Sequence, residues 1–227
     1  MLYSPPPCSP LLLPSRAHAR TGVLIEGCFD PHSTEASSCD CVLDVTTVTA
    51  SCTGARLDKI PVGLWPNVTA LHFASNTLTR LDAEALRLST VLLNEVDFSS
   101  NAITILEADA FIETPNLLTL RLAENPLSHG AVDAFLPLTR LVSLFLASTR
   151  LTALPAALFR PLRALKTLDL RWNPAISFEG HAFFEGLPSL NNLYLAKGFN
   201  LEVHNDSWAP ARSLPTTLLQ LYVPSCI

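Results

Sequence analysis

The 227-residue chain carries 15 basic and 20 acidic residues for a formal charge of -5, is 48% hydrophobic, and contains 18 prolines but only 8 glycines. That apolar fraction supplies a sizeable core. The negative balance, with no cluster of lysine or arginine, points away from a nucleic-acid partner. Every leucine-rich stretch is cut by Asn, Asp, Arg or Pro before the roughly 18 consecutive apolar residues of a membrane span, so no transmembrane segment is expected.

The chain opens on "MLYSPPPCSPLLLPSRAHAR". Ala17, His18 and Ala19 imitate a small-residue cleavage site. The only apolar block is Leu11, Leu12 and Leu13, short of the roughly 7 to 15 residues in the core of a secretory signal, and no basic start precedes it. Residues 1–27 are therefore expected to be a disordered, proline-rich leader or a poor signal segment, with Cys8 an incidental thiol.

Residues 28–56 follow, and "CFDPHSTEASSCDCVLDVTTVTASC" places Cys28, Cys39, Cys41 and Cys52 within 25 residues. A metal site, a redox centre or a disulfide-stapled cap would each crowd cysteines in this way. Zinc calls for two close-spaced pairs, or cysteines with nearby histidines, whereas here one C-x-C stands among long gaps. The residues favour disulfides over a metal, and no cofactor is expected.

From residue 57 to 227 the sequence repeats itself. "VTALHFASN" (68–76), "LNEVDFSSN" (93–101), "LLTLRLAEN" (117–125), "LVSLFLAST" (141–149), "LKTLDLRWN" (165–173) and "LNNLYLAKG" (190–198) share L-x-x-L-x-L-x-x-N, and "LLQLYVPSC" (218–226) is an incomplete last copy. The steps between starts are 25, 24, 24, 24, 25 and 28 residues. The alternating x-L-x-L-x is a short strand of period two, so Leu144 and Leu146 should point inward and Ser143, Phe145 and Ala147 outward. In the second copy Leu93, Val96, Phe98, Ile103, Leu106 and Phe111 are expected to be buried. One copy cannot offset the entropy of ordering its own loop, so the copies must stack into a solenoid closed at its ends. Asn76, Asn101, Asn125 and Asn173 recur at the ninth position, where a side-chain amide can satisfy backbone groups as the chain leaves the strand. Thr149 and Gly198 interrupt that ladder, and Cys226 stands at its last rung, where it is expected to be a buried ladder residue, with a free thiol or the partner of a further cap as the alternatives. A coiled coil is the rival reading of so many leucines, and the prolines and the 24-residue period argue against it.

These motifs resemble the leucine-rich repeat family, most fully in "LVSLFLASTRLTALPAALFRPLRA" (141–164), and the resemblance covers about residues 57–227. It implies an α/β solenoid with a curved parallel β-sheet on the concave face and an irregular, 3-10 or short helical convex face. The cysteine stretch running into "LDKIPVGLWPNVTAL" (57–71) resembles the N-terminal cysteine-rich cap of extracellular members. That resemblance implies first-to-third and second-to-fourth pairing, Cys28 with Cys41 and Cys39 with Cys52. A chain ending in mid-repeat at Ile227 is expected to be either a truncated gene product or a fragment of a larger receptor.

No G-x-S-x-G elbow, H-E-x-x-H or phosphate-cradling loop is present, so no enzyme is expected. His72 reads as a surface histidine, and Glu107 and Asp109 as a solvated face. Asn67 and Asn205 begin glycosylation triplets, although chance alone supplies roughly two in this composition. The outward row His72, Asp97, Arg121, Phe145, Asp169, Tyr194 and Tyr222 is the expected binding surface, flanked by Glu95, Thr119, Thr167, Asn192 and Gln220 and by Ala123, Ala147 and Arg171. Asp97, Arg121, Phe145, Asp169, Arg171, Tyr194 and Tyr222 are the candidate ligand-binding residues, because exposed aromatics and arginine concentrate at interface centres. A protein ligand is expected, with a glycan as the alternative. Disulfides persist in oxidising compartments, so the expected location is extracellular or cell-surface. A cytoplasmic scaffold holding an enzyme is the alternative.

Overall fold

A computed structural model describes residues 23–24, 28, 38–86, 92–127, 133–154, 156–174, 176–178, 187–195 and 220–222. Asn205, Cys8, Gly198 and Cys226 lie outside the described residues.

The strands begin with a hairpin. β1 (Val23–Leu24) pairs antiparallel with β2 (Asp40–Leu43), which pairs antiparallel with β3 (Val48–Ser51). β1 falls within the segment expected to be a leader, and it covers an edge of β2 that would otherwise lack a partner. From β3 onward the sheet is parallel and takes one three-residue strand from each repeat. These are β4 (Ala70–His72), β6 (Glu95–Asp97), β8 (Thr119–Arg121), β9 (Ser143–Phe145), β11 (Thr167–Asp169), β13 (Asn192–Tyr194) and β14 (Gln220–Tyr222). The return path adds two short parallel pairs, β5 (Arg80–Leu81) with β7 (Ile105–Leu106) and β10 (Ala153–Leu154) with β12 (Ser177–Phe178), and a 3-10 turn at Ala156–Phe159. The expected solenoid is thus present, with almost no helix among the described residues.

The core follows the repeat. Leu93, Val96, Phe98, Ile103, Leu106 and Phe111 are all buried as expected. Leu86, Phe111, Phe135 and Phe159 occupy one repeat position and form a buried spine under the convex side, where Phe111 and Phe135 stack with centroids 6.3 Å apart. Phe73 meets Phe98 edge-on at 6.2 Å beneath the strands.

The asparagine ladder does what its chemistry allows. Asn125 donates through Nδ2 to the carbonyls of Phe98, Leu122 and Ala123 at 2.9, 3.0 and 3.2 Å, and its Oδ1 accepts the amide of Ile103 at 3.0 Å. Asn76, Asn101 and Asn173 repeat the scheme, each joining its own turn to the one before. Where Thr149 replaces asparagine, the Leu127 amide bonds the Thr149 backbone carbonyl at 3.1 Å instead. The residue preceding each ladder position is left-handed, from Ser75, Ser100 and Glu124 to Ser148 and Trp172, with φ between 54° and 61°. In the two described turns lacking the asparagine, Arg56 and Arg150 add a second left-handed residue, both at φ 59°.

The cap closes the first turn. Cys28 bonds Cys41 and Cys39 bonds Cys52, the pairing the family resemblance implied, with Cα atoms 5.4 and 4.2 Å apart. Each bridge spans 13 residues, which in the chain-entropy account contributes about 3 kcal/mol. Cys28, Cys41 and Cys52 are buried in the same core as the first leucines. Thr69 ties the cap to the first repeat, accepting the Val48 amide on its hydroxyl at 3.0 Å and donating to the Val48 carbonyl at 3.3 Å.

Candidate functional site on the concave face

Register decides which outward residues meet. β4, β6, β8, β9, β11, β13 and β14 pair so that His72, Asp97, Arg121, Phe145, Asp169, Tyr194 and Tyr222 fall in one row across the sheet. Ala70, Glu95, Thr119, Ser143, Thr167, Asn192 and Gln220 form the parallel row. The side chain of Tyr222 lies outside the described residues, so only its backbone place in the row is assigned.

The row is not a set of independent exposed groups. The Arg121 guanidinium carbon sits 4.4 Å from the centroid of Phe145, and that of Arg171 sits 5.3 Å from the centroid of Tyr194, both within cation-π range. Phe145 and Tyr194 were expected to be exposed, and both are half-buried. Packing supplies the reason: an arginine from the preceding strand or its turn folds over each ring.

Asp169 was expected to face solvent, yet it is only 3% exposed. Its carboxylate accepts the Arg171 amide at 3.1 Å and the guanidinium of the same residue through Nε at 3.0 Å and Nη2 at 2.6 Å. A buried carboxylate demands a partner, and the nearest cation on the same strand end supplies a fork that fits both oxygens. Arg171 consequently spans Asp169 and Tyr194. The structure thus brings Arg121, Phe145, Asp169, Arg171 and Tyr194 into one continuous patch. Asp97 stands beside Arg121 in the row, and its Oδ1 accepts the Ser99 amide at 2.8 Å.

Toward the cap the same face carries Glu95, expected from the repeat only as a flanking residue. Its Oε1 lies 3.8 Å from His72 Nε2 and 3.6 Å from Arg121 Nε. The His72 hydrogen bond is the largest influence, and with the charge of Arg121 it holds the Glu95 pKa below its ordinary value against the opposing effect of partial burial. Arg121 therefore links a carboxylate on one side to an aromatic ring on the other. On the outer side of the coil Glu107 pairs with Arg80, consistent with a solvated face.

Asn67 is exposed in the turn that brings the Val68 amide to the Trp65 carbonyl at 3.1 Å. Among the described residues no group of three or more His, Cys, Asp or Glu side chains could hold a metal ion, and no helix is long and apolar enough to cross a membrane.

The stacked strands, the asparagine ladder and the oxidised cap together define a leucine-rich repeat protein with an N-terminal cysteine cap. A family model described as "Leucine rich repeat" matches residues 139–198. Among curated proteins, the human Amphoterin-induced protein 2 is 32% identical over 87 residues, 38% of this chain and 16% of that protein. Its mouse counterpart is 33% identical over 86 residues, again 38% and 16%. The match therefore spans about one sixth of the length of these relatives.

Proposed function

We propose that this chain is a non-enzymatic binding module that takes a protein ligand on its concave face, at the cell surface or outside the cell. The observation that carries the reading is the pair of arginine-capped rings, Arg121 on Phe145 and Arg171 on Tyr194, set two strands apart on either side of Asp169 on an open sheet. Neither ring is needed to close the core. Both are held in place before any partner arrives, so a ligand would lose little side-chain freedom on docking. Tyr222 continues the row by register, and Asp97 adds an acceptor next to Arg121. A glycan ligand on this face is the second reading.

The oxidised cap supports an extracellular or cell-surface location, because two bridges closing so small a hairpin persist where thiols are not kept reduced. On that reading Asn67, exposed in its turn, and Asn205 carry N-linked glycans. The test is capture of surface proteins by the intact chain against Phe145→Ala combined with Tyr194→Ala. Loss of the captured partner in the double variant is expected, and unchanged recovery would contradict the site.

A further inference from the structure

The rim where the strands turn toward the convex side carries a feature that the concave patch does not use. Successive turns place Gly54, Ser75, Ser100, Glu124, Ser148 and Trp172 at equivalent points, all left-handed. That conformation suits glycine or a small polar residue and penalises bulky ones. Trp172, at φ 61°, is nevertheless 65% exposed, so its indole gains little from the core in return for the backbone strain. Packing gives no reason for it.

Around it lies a groove of about 460 Å3 lined by Asn101, Glu124, Pro126, Ser148, Arg150 and Trp172, within the roughly 300 to 1,000 Å3 of small-ligand clefts. Glu124, Ser148 and Trp172 come from three successive turns, so the small Ser148 makes a gap between a carboxylate and an indole face. Glu124 is steadied by the Ser100 hydroxyl, which donates to its Oε2 at 2.8 Å. The Asn101 amide nitrogen is committed to backbone carbonyls. The exposed Arg150 guanidinium has no hydrogen-bond or ion-pair partner among the described residues.

We propose that this groove binds a neutral pyranoside, its C–H face stacked on the Trp172 indole and its hydroxyls shared between the Glu124 carboxylate and the Arg150 guanidinium. The chemistry favours such a ligand over its rivals. An acidic or sulfated sugar would meet Glu124. An apolar peptide side chain would find one indole face and Pro126 but no enclosed apolar wall. A neutral polyol needs a flat ring, an acceptor and a donor fork close together, and all three are here. The site is separate from the concave patch and does not depend on it.

The experiment is an array of immobilised neutral, sialylated and sulfated oligosaccharides, probed with the intact chain at physiological salt, with hits followed by saturation-transfer NMR. Retention on neutral sugars is expected, and Trp172→Ser should weaken it at least tenfold. Serine already serves this turn position at Ser75, Ser100 and Ser148, so the variant should melt no lower than the native chain. Arg150→Gln, which leaves the indole in place, should also weaken binding. The proposal is overturned if no neutral oligosaccharide is retained, if only sulfated ones are, or if both rim variants bind undiminished.

Discussion

The Thr149 amide donates to Asn173 Oδ1 at 2.9 Å, while the Thr149 hydroxyl donates to the Leu146 carbonyl at 2.8 Å. One side chain of the following repeat thus finishes a turn whose own asparagine is missing. Asn173 also donates to the carbonyls of Leu146 and Leu170 at 2.7 and 3.1 Å and is fully buried. Asn173→Ala leaves several buried backbone groups unpaired, and the expected loss is about 3 kcal/mol or more. Thr149→Val removes one hydroxyl and should cost about 1 kcal/mol. Urea unfolding of the two variants should rank them in that order, and equal losses would show that Asn173 does not carry the turn.

The phenylalanine spine makes a second claim on stability. Phe135 is buried next to Phe111, and truncation leaves a cavity that stacked repeats cannot collapse around without shifting their neighbours. Phe135→Ala should therefore cost about 3 to 5 kcal/mol in thermal or denaturant unfolding. Ile112→Ala, at the exposed position that follows Phe111 in the chain, should change stability by less than about 0.5 kcal/mol.

Glu95 gives a pH dependence with a definite sign. Its folded pKa is held below the ordinary 4.5, first by the His72 hydrogen bond and then by Arg121, so the unfolded chain takes up its proton at higher pH. The stabilisation is present above that ordinary value and is lost as pH falls through the folded value. An NMR titration of the Glu95 side-chain carboxyl should give a midpoint under 4.5, moving upward in His72→Ala. A midpoint at or above the ordinary value would contradict the geometry.

Arg171 and Tyr194 should be energetically coupled. A double-mutant cycle between Arg171→Ala and Tyr194→Ala is expected to give about 0.5 to 1 kcal/mol of interaction in unfolding, the magnitude of a partly exposed cation-π pair. Additive losses would mean that Arg171 is held by Asp169 alone.

How much of this the sequence foretells depends on which groups set the conformation. Inward positions such as Leu144 and Phe98 are legible because period and hydrophobicity alone decide them, and the outward row from His72 to Tyr194 follows from the same alternation. What those outward groups do is not legible. Asp169 reads as a solvent-facing acid until Arg171 folds back over it, because the choice depends on side chains meeting across a turn. The left-handed turn residues escape notice because Ser100, Glu124 and Trp172 stand where a glycine would have announced them. Trp172 itself could have been flagged as the one aromatic residue in a column that otherwise holds Gly54, Ser75, Ser100, Glu124 and Ser148. The edge strand at Val23–Leu24 is too short to declare itself by pattern, and it forms because β2 has an open side.

The central claim is that this coil of repeats is sealed at its start by sulfur bridges and so works where thiols stay oxidised. The direct test is mass-spectrometric mapping of cysteine linkages in the folded chain, expressed from its own sequence in mammalian cells and alkylated before lysis. The predicted result is Cys28 linked to Cys41 and Cys39 to Cys52, with alkylation confined to Cys8 and Cys226. Recovery of a folded protein with all four cap cysteines alkylated would contradict it.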